Sequence, residues 1–232
     1  MKRICLTFDV EDSSSPKPLL DLLYKYDIKA TFFVTGIILE KNPSIISKIR
    51  REGHEIGCHG YSHKRFDELP TYDKVWEIRD FLMLSHKNKL KVYGFRAPQF
   101  SIDKETLDIL KEYNLKYDSS YAPGSFAQIL FFPNKILQLS RLIFSPNKIY
   151  YHANGLKEIP VSSFIFPVST FSIRYFPQFI FRLLVMLSSI LRNEIVFLSH
   201  SWDFEDKRVL ARLEKFIRLF DKESFVRMSE LK

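Results

Sequence analysis

Apolar residues along the chain fall into short blocks that alternate between two periods. Blocks at 4–8 (ICLTF), 30–34 (ATFFV), 54–57, 92–95, 116–119, 158–161 and 195–199 (IVFLS) are compact and rich in β-branched and aromatic residues, so they predict strands. Between them, apolar positions recur every three or four residues at 18–26, 43–52, 72–86, 104–113, 177–191 and 207–220, which predicts amphipathic helices. Pro43 after Asn42, and Lys104-Glu105 after Asp103, have the chemistry of helix starts. Strands alternating with helices predict a parallel sheet with covering helices, an α/β fold of the deformed (β/α) barrel type with seven or eight strands. Such a barrel presents its chemistry at strand ends.

The rhythm breaks between residues 121 and 151. Pro123, Gly124, Pro133 and Pro146 surround the apolar segments AQILFF and KILQLSRLIF, which read as an elaborated loop region over one end of the barrel. No linker or repeat divides the 232 residues, so the expectation is one domain over 1–232 with a basic, apolar elaboration around 121–192. The net charge is +8, and from 119 to 193 Glu158 is the sole acidic residue, among Lys135, Arg141, Lys148, Lys157, Arg174, Arg182 and Arg192. This favours an anionic partner. Dispersed basic residues without a recognition motif argue against nucleic acid and point to a membrane surface or a lipid phosphate. The run YFPQFIFRLLVMLSSILRN is too short and too interrupted to span a bilayer; it fits either a helix packed on the sheet or one lying on a membrane. Met1-Lys2-Arg3 leads directly into the first strand, so the expectation is a cytoplasmic protein, with a peripheral position at the inner membrane face left open. Cys5 and Cys58 form no C-x-x-C pattern and read as reduced, buried strand residues.

Candidate chemistry centres on His59 and His63 in HEIGCHGYSH, two imidazoles four residues apart that can hold one divalent metal. The zinc-protease pattern H-E-x-x-H is excluded because Gly60 stands where its glutamate belongs. Three carboxylates, Asp9, Glu11 and Asp12, end the first strand, and His200 ends the last. His54, His86 and His152 lie outside this scheme, the Asp203/Glu205 pair reads as surface charge, and Glu158 either faces a substrate or caps a strand.

Five segments in order, TFDVED, HGYSH, GFRAPQF, YDSSY and FLSH, together resemble the motifs of the polysaccharide deacetylases, the NodB-homology or carbohydrate esterase 4 family, across residues 6–200. The forms FDVED, FRAP and YDSS look most like the branch associated with surface-polysaccharide biosynthesis. The resemblance implies a metal-dependent hydrolase that removes an N-acetyl group from an amino sugar in a saccharide or in a lipid- or nucleotide-linked glycan intermediate. By resemblance Asp9 is the base and Arg96 its partner, while His59, His63 and Asp12, with Glu11 in reserve, bind the metal. His200 is the acid, Asp118 its carboxylate partner, Leu198 lines the acetyl pocket, and Gln99 supplies a backbone N–H for the oxyanion where the family commonly has tyrosine. Zinc is the expected ion, with cobalt or nickel compatible. Two rival readings keep much of this chemistry: the same fold acting on another C–N amide, such as a formamide, imide or ureide, and a glycan-binding module without catalysis.

Overall fold

The computed structural model describes residues 2–12, 16–123 and 144–231. The segment AQILFF and all but the last residue of KILQLSRLIF lie outside the described residues. The strands are β1 Arg3–Val10, β2 Thr31–Val34, β3 Glu55–Cys58, β4 Gly94–Phe95, β5 Tyr117–Asp118, β6 Tyr150–Tyr151, β7 Lys157–Glu158, β8 Ser163–Phe164, β9 Phe166–Pro167 and β10 Glu194–His200. The helices are α1 Lys17–Lys25, α2 Gly36–Lys41, α3 Pro43–Arg51, α4 Thr71–Lys87, α5 Lys104–Glu112, α6 Thr170–Tyr175, α7 Gln178–Leu191 and α8 Lys207–Ile217. Helix starts follow local chemistry. Pro43 takes the first turn of α3, and Asp103 caps α5 by accepting the Thr106 N–H at 2.8 Å.

One eight-stranded sheet runs in the order β10-β1-β2-β3-β4-β5-β7-β6, parallel throughout except for the antiparallel β6–β7 pair; β8 and β9 form a separate hairpin. The sheet curls into the expected deformed barrel. Irregular chain after β7 completes the turn: Ile159 N–H donates to the Asp118 carbonyl at 2.9 Å, Ser162 N–H to the Val196 carbonyl at 3.0 Å, and Leu198 N–H to the Val168 carbonyl at 3.0 Å. The strand predicted over 158–161 is therefore cut short, because its chain leaves one neighbour to bridge to the far edge.

Side-chain alternation along the strands sorts residues between two cores. Ile4, Leu6, Phe8 and Val10 of β1 pack outward against the helices, with Phe32, Val34, Cys58, Phe95, Ile195 and Phe197 of the neighbouring strands. Each such side chain contributes about 1.5–3 kcal/mol by leaving water. Residues of the other parity, Cys5, Phe33, Tyr117, Ile159 and Val196, fill the barrel interior. Both cysteines are free and buried, as expected. The same alternation turns Asp9 inward where β1 ends.

Candidate active site at the barrel mouth

Asp9 and His200 stand opposite each other in register on the adjacent strands β1 and β10. Asp9 is 4% exposed, and Arg96, fully buried just after β4, donates from Nη1 to Asp9 Oδ1 at 2.9 Å and to Thr7 Oγ1 at 2.9 Å. Its other nitrogens donate to Ser119, Nε to the carbonyl and Nη2 to Oγ, both at 3.0 Å, and the guanidinium lies 4.3 Å from the centre of the Phe33 ring. A planar, multiply bonded guanidinium holds one orientation, so the carboxylate it faces is held too.

Beside this pair, donor atoms of Glu11, His59 and His63 lie within 4.8 Å of one another. His59 Nε2 is 3.5 Å from Glu11 Oε2, and His63 Nε2 approaches the same oxygen more closely. His59 Nδ1 lies 2.7 Å from the Arg96 carbonyl, which fixes that nitrogen as an N–H donor and turns Nε2 toward Glu11. Burial opposes ionisation of Glu11, but hydrogen bonds and charge from the two imidazoles bring its pKa down to about 2.

The loop carrying both histidines is held from two sides. Glu77 on α4, 1% exposed, accepts the N–H groups of Tyr61 at 2.6 Å and Ser62 at 2.8 Å, while Gly36 and Ile37 at the start of α2 donate to the carbonyls of Gly60 and Tyr61 at 3.0 Å each. Gly60 adopts φ +72°, and His63 takes a left-handed φ of +61° without being glycine, a conformation that these bonds sustain. Neither Glu77 nor α2 stood out in the sequence as part of the site.

Two expectations need correction. The carboxylate brought to the histidines is Glu11 and not Asp12, which is exposed. β1 ends at Val10 and the chain bends at residue 12, so Asp12 leaves the run that carries Asp9 and Glu11. Asp118 is not placed with His200 either. On β5 the inward positions belong to Tyr117 and to Ser119, which holds Arg96, so Asp118 turns to the opposite face. There it accepts from Ser120 Oγ at 2.6 Å and lies within 4.8 Å of the equally buried Glu158 carboxyl. Burial raises Asp118 to about 6 and carries Glu158 well above the usual carboxylate range. His152 lies 3.3 Å from Glu158, making this a second His/Asp/Glu group apart from the mouth.

The carboxylate at His200 is Asp203, expected to be surface charge but only 8% exposed. A short 3-10 turn over Ser201–Glu205 brings it back: Asp203 Oδ2 accepts the His200 N–H at 3.1 Å and lies 3.6 Å from His200 Nδ1. Trp202 stacks on the imidazole with ring centres 4.3 Å apart. Burial pulls the His200 pKa down, but the nearby Asp203 carboxylate and the charges of Asp9 and Glu11 outweigh it and leave the pKa raised. Leu198 and His200 line a cavity of about 390 Å³ together with Phe166, Phe171 and Tyr175. Gln99 is exposed at φ +53° on the turn after Pro98, where its Oε1 accepts from Arg65 at 3.3 Å.

Fold and site together define an α/β barrel whose polar groups gather at its strand ends. The polysaccharide deacetylase family matches residues 1–117, and the chain belongs to that family. Peptidoglycan-N-acetylglucosamine deacetylase PgdA of Listeria monocytogenes is 41% identical over 113 residues, 46% of this chain and 23% of that protein. The chain thus spans less than a quarter of that relative's length. Among solved structures, a polysaccharide deacetylase-like protein from Mycobacterium smegmatis aligns with a TM-score of 0.73 at 19% identity, covering 94% of this chain and 82% of that one. A CE4 family pseudoenzyme from Bacillus anthracis aligns with a TM-score of 0.65 at 17% identity, covering 99% and 65%. At these identities the two structures show the fold.

Proposed function

We propose that the chain is a divalent-metal-dependent hydrolase that removes an N-acetyl group from an amino sugar, in a saccharide or in a lipid- or nucleotide-linked glycan intermediate. The observation that carries this reading is the meeting of Asp9–Arg96, Glu11–His59–His63 and His200–Asp203 at one barrel mouth. Family membership supports deacetylation, and the name of the Listeria relative supports an acetylated amino sugar.

Two imidazoles and a carboxylate suit zinc, and cobalt or nickel as well. An ion held by Glu11, His59 and His63 would supply Lewis acidity toward the acetamide carbonyl and acidify a water. Asp9 receives the proton of the attacking water, with Arg96 as its counter-charge and guide. His200, whose carboxylate neighbours raise its pKa, delivers a proton to the departing amine nitrogen; without it the tetrahedral adduct expels water instead. Leu198 offers an apolar wall for the acetyl methyl, and the Gln99 backbone N–H is the proposed oxyanion donor. The proposed location is cytoplasmic, peripheral to the inner face of the membrane, on the strength of the basic, apolar stretch up to 192.

The test is acetate release from an N-acetylglucosamine oligosaccharide by the zinc-loaded chain, with N-formyl sugar in parallel. Release that a chelator stops and Asp9→Asn abolishes supports the reading. Formate release alone would move the assignment to another C–N amide, and tight glycan binding with neither product would make the protein a binding module.

A further inference from the structure

Helix α7 is apolar on both sides. Phe181, Leu184 and Val185 are buried, while Phe179, Leu183, Met186 and Ile190, at spacings of four, three and four, are 71%, 47%, 53% and 71% exposed. A surface helix ordinarily turns polar residues to water, so a second apolar stripe calls for a second partner. Of the fifteen large apolar side chains exposed among the described residues, ten lie between 144 and 190. Such concentration separates a patch from the scattered exposure normal to any protein. The patch continues onto α6, where the Phe171 and Tyr175 rings meet at a tilt with centres 5.0 Å apart and wall the cavity that reaches His200.

We infer that the outer face of α6 and α7 docks on an anionic lipid bilayer, with the mouth beside His200 opening at the membrane surface. Charge decides the occupant. Between 144 and 193 the exposed charged residues among those described are Lys148, Arg174 and Arg182, and the one carboxylate, Glu158, is fully buried. Arg174 also holds Asp203 at 3.0 Å, which ties the cationic rim to the site. A second copy of the chain seated here would set Lys148 and Arg182 against their own kind, because the carboxylates at the edge of the face, Asp203 and Asp206, lie beside Arg174. Apolar residues among cations are what an anionic lipid interface takes up. Among the described residues no helix is long and apolar enough to cross a membrane, so this contact lies on the surface. One consequence rests on the deacetylase reading: an acetamido sugar carried on a lipid phosphate would reach His200 from the bilayer side.

Flotation of the whole chain with vesicles tests this without requiring turnover. The chain is expected to float with phosphatidylcholine–phosphatidylglycerol vesicles, less so at high salt, and poorly with phosphatidylcholine alone. The double variant Leu183→Glu/Met186→Glu should retain its melting temperature and its rate on a water-soluble N-acetylglucosamine oligosaccharide while vesicle binding falls about tenfold or more. A chain that ignores both vesicle types, or a double variant that floats as well as wild type, would overturn the inference. So would a concentration-dependent dimer that the double variant dissolves in the absence of any flotation. Failure of deacetylation on every sugar would sink the deacetylase reading and leave the flotation result standing.

Discussion

Both ends of the barrel bury a carboxylate among the same strands, and they hold it in opposite ways. At the N-terminal end Glu55 is 6% exposed and accepts from Thr31 Oγ1 at 2.9 Å, Tyr117 Oη at 3.0 Å and the Ser229 N–H at 3.0 Å, all neutral donors. The chain beyond α8 closes that end, with Val226 N–H donating to the Ile4 carbonyl at 2.9 Å and Met228 N–H to Thr31 Oγ1 at 3.0 Å. Burial raises the Glu55 pKa. At the C-terminal end Asp9 meets a guanidinium and Glu11 two imidazoles, which lower Glu11 to about 2. One end satisfies its polar groups by ordinary folding; the other brings charged and titratable groups to face one another. Buried acidity alone therefore does not mark the chemistry, whereas acidity facing convergent charged partners does.

The sharpest way to break this contrast is to neutralise one acid at each end. Asp9→Asn should lower deacetylation by about 10²–10⁴-fold, the range for loss of a general base, while Glu55→Gln stays within about twofold. Equal losses in acetate-release assays would erase the distinction. Arg96→Ala should cost about 3–5 kcal/mol in urea unfolding as well as activity, because it leaves a buried carboxylate without its counter-charge. An unchanged unfolding midpoint would contradict the geometry at the mouth.

A smaller effect separates the two carboxylates offered for His200. A raised imidazole pKa keeps the acid protonated to higher pH, and activity falls as pH rises through that pKa. Asp203→Asn should move the alkaline limb of the kcat profile to lower pH with about a tenfold loss of rate, and Asp118→Asn should leave the limb in place. The reverse pattern would restore Asp118 to that role. The subtlest effect is on stability at the closed end. Because the folded-state pKa of Glu55 lies above its unfolded value, the folded chain holds this proton longer, and the contribution to stability falls as pH rises from the ordinary carboxylate value through the raised one. Glu55→Gln should flatten that slope in unfolding measured across pH; parallel curves would argue against it.

Much of this architecture is legible along the chain, because strands buried on both faces read as apolar blocks and their ends carry the unusual polar residues. Asp9, His59, Arg96 and His200 stand where such blocks stop, and His63 follows in the loop after β3. What escapes is local geometry. Helix α2 is only six residues long, GIILEK, too short for a period to show. Asp118 has the right chemistry on the wrong side of an alternating strand, whose inward position is Tyr117, and Asp12 lies past the end of β1 where the chain bends. Asp203 reaches His200 only because the chain tightens into a 3-10 turn, although a three-residue interval between them was a signal in plain view. Glu77 sits in an ordinary helical pattern, and only the folded loop above it gives it work.

The central claim is that Glu11, His59 and His63 form one cation site beside Asp9, and bound-metal stoichiometry tests it most directly. Zinc-loaded chain, dialysed and assayed by inductively coupled plasma mass spectrometry, should carry one ion; Asp12→Asn should keep it and Glu11→Gln should lose it. An ion retained by Glu11→Gln and lost by Asp12→Asn would contradict the account.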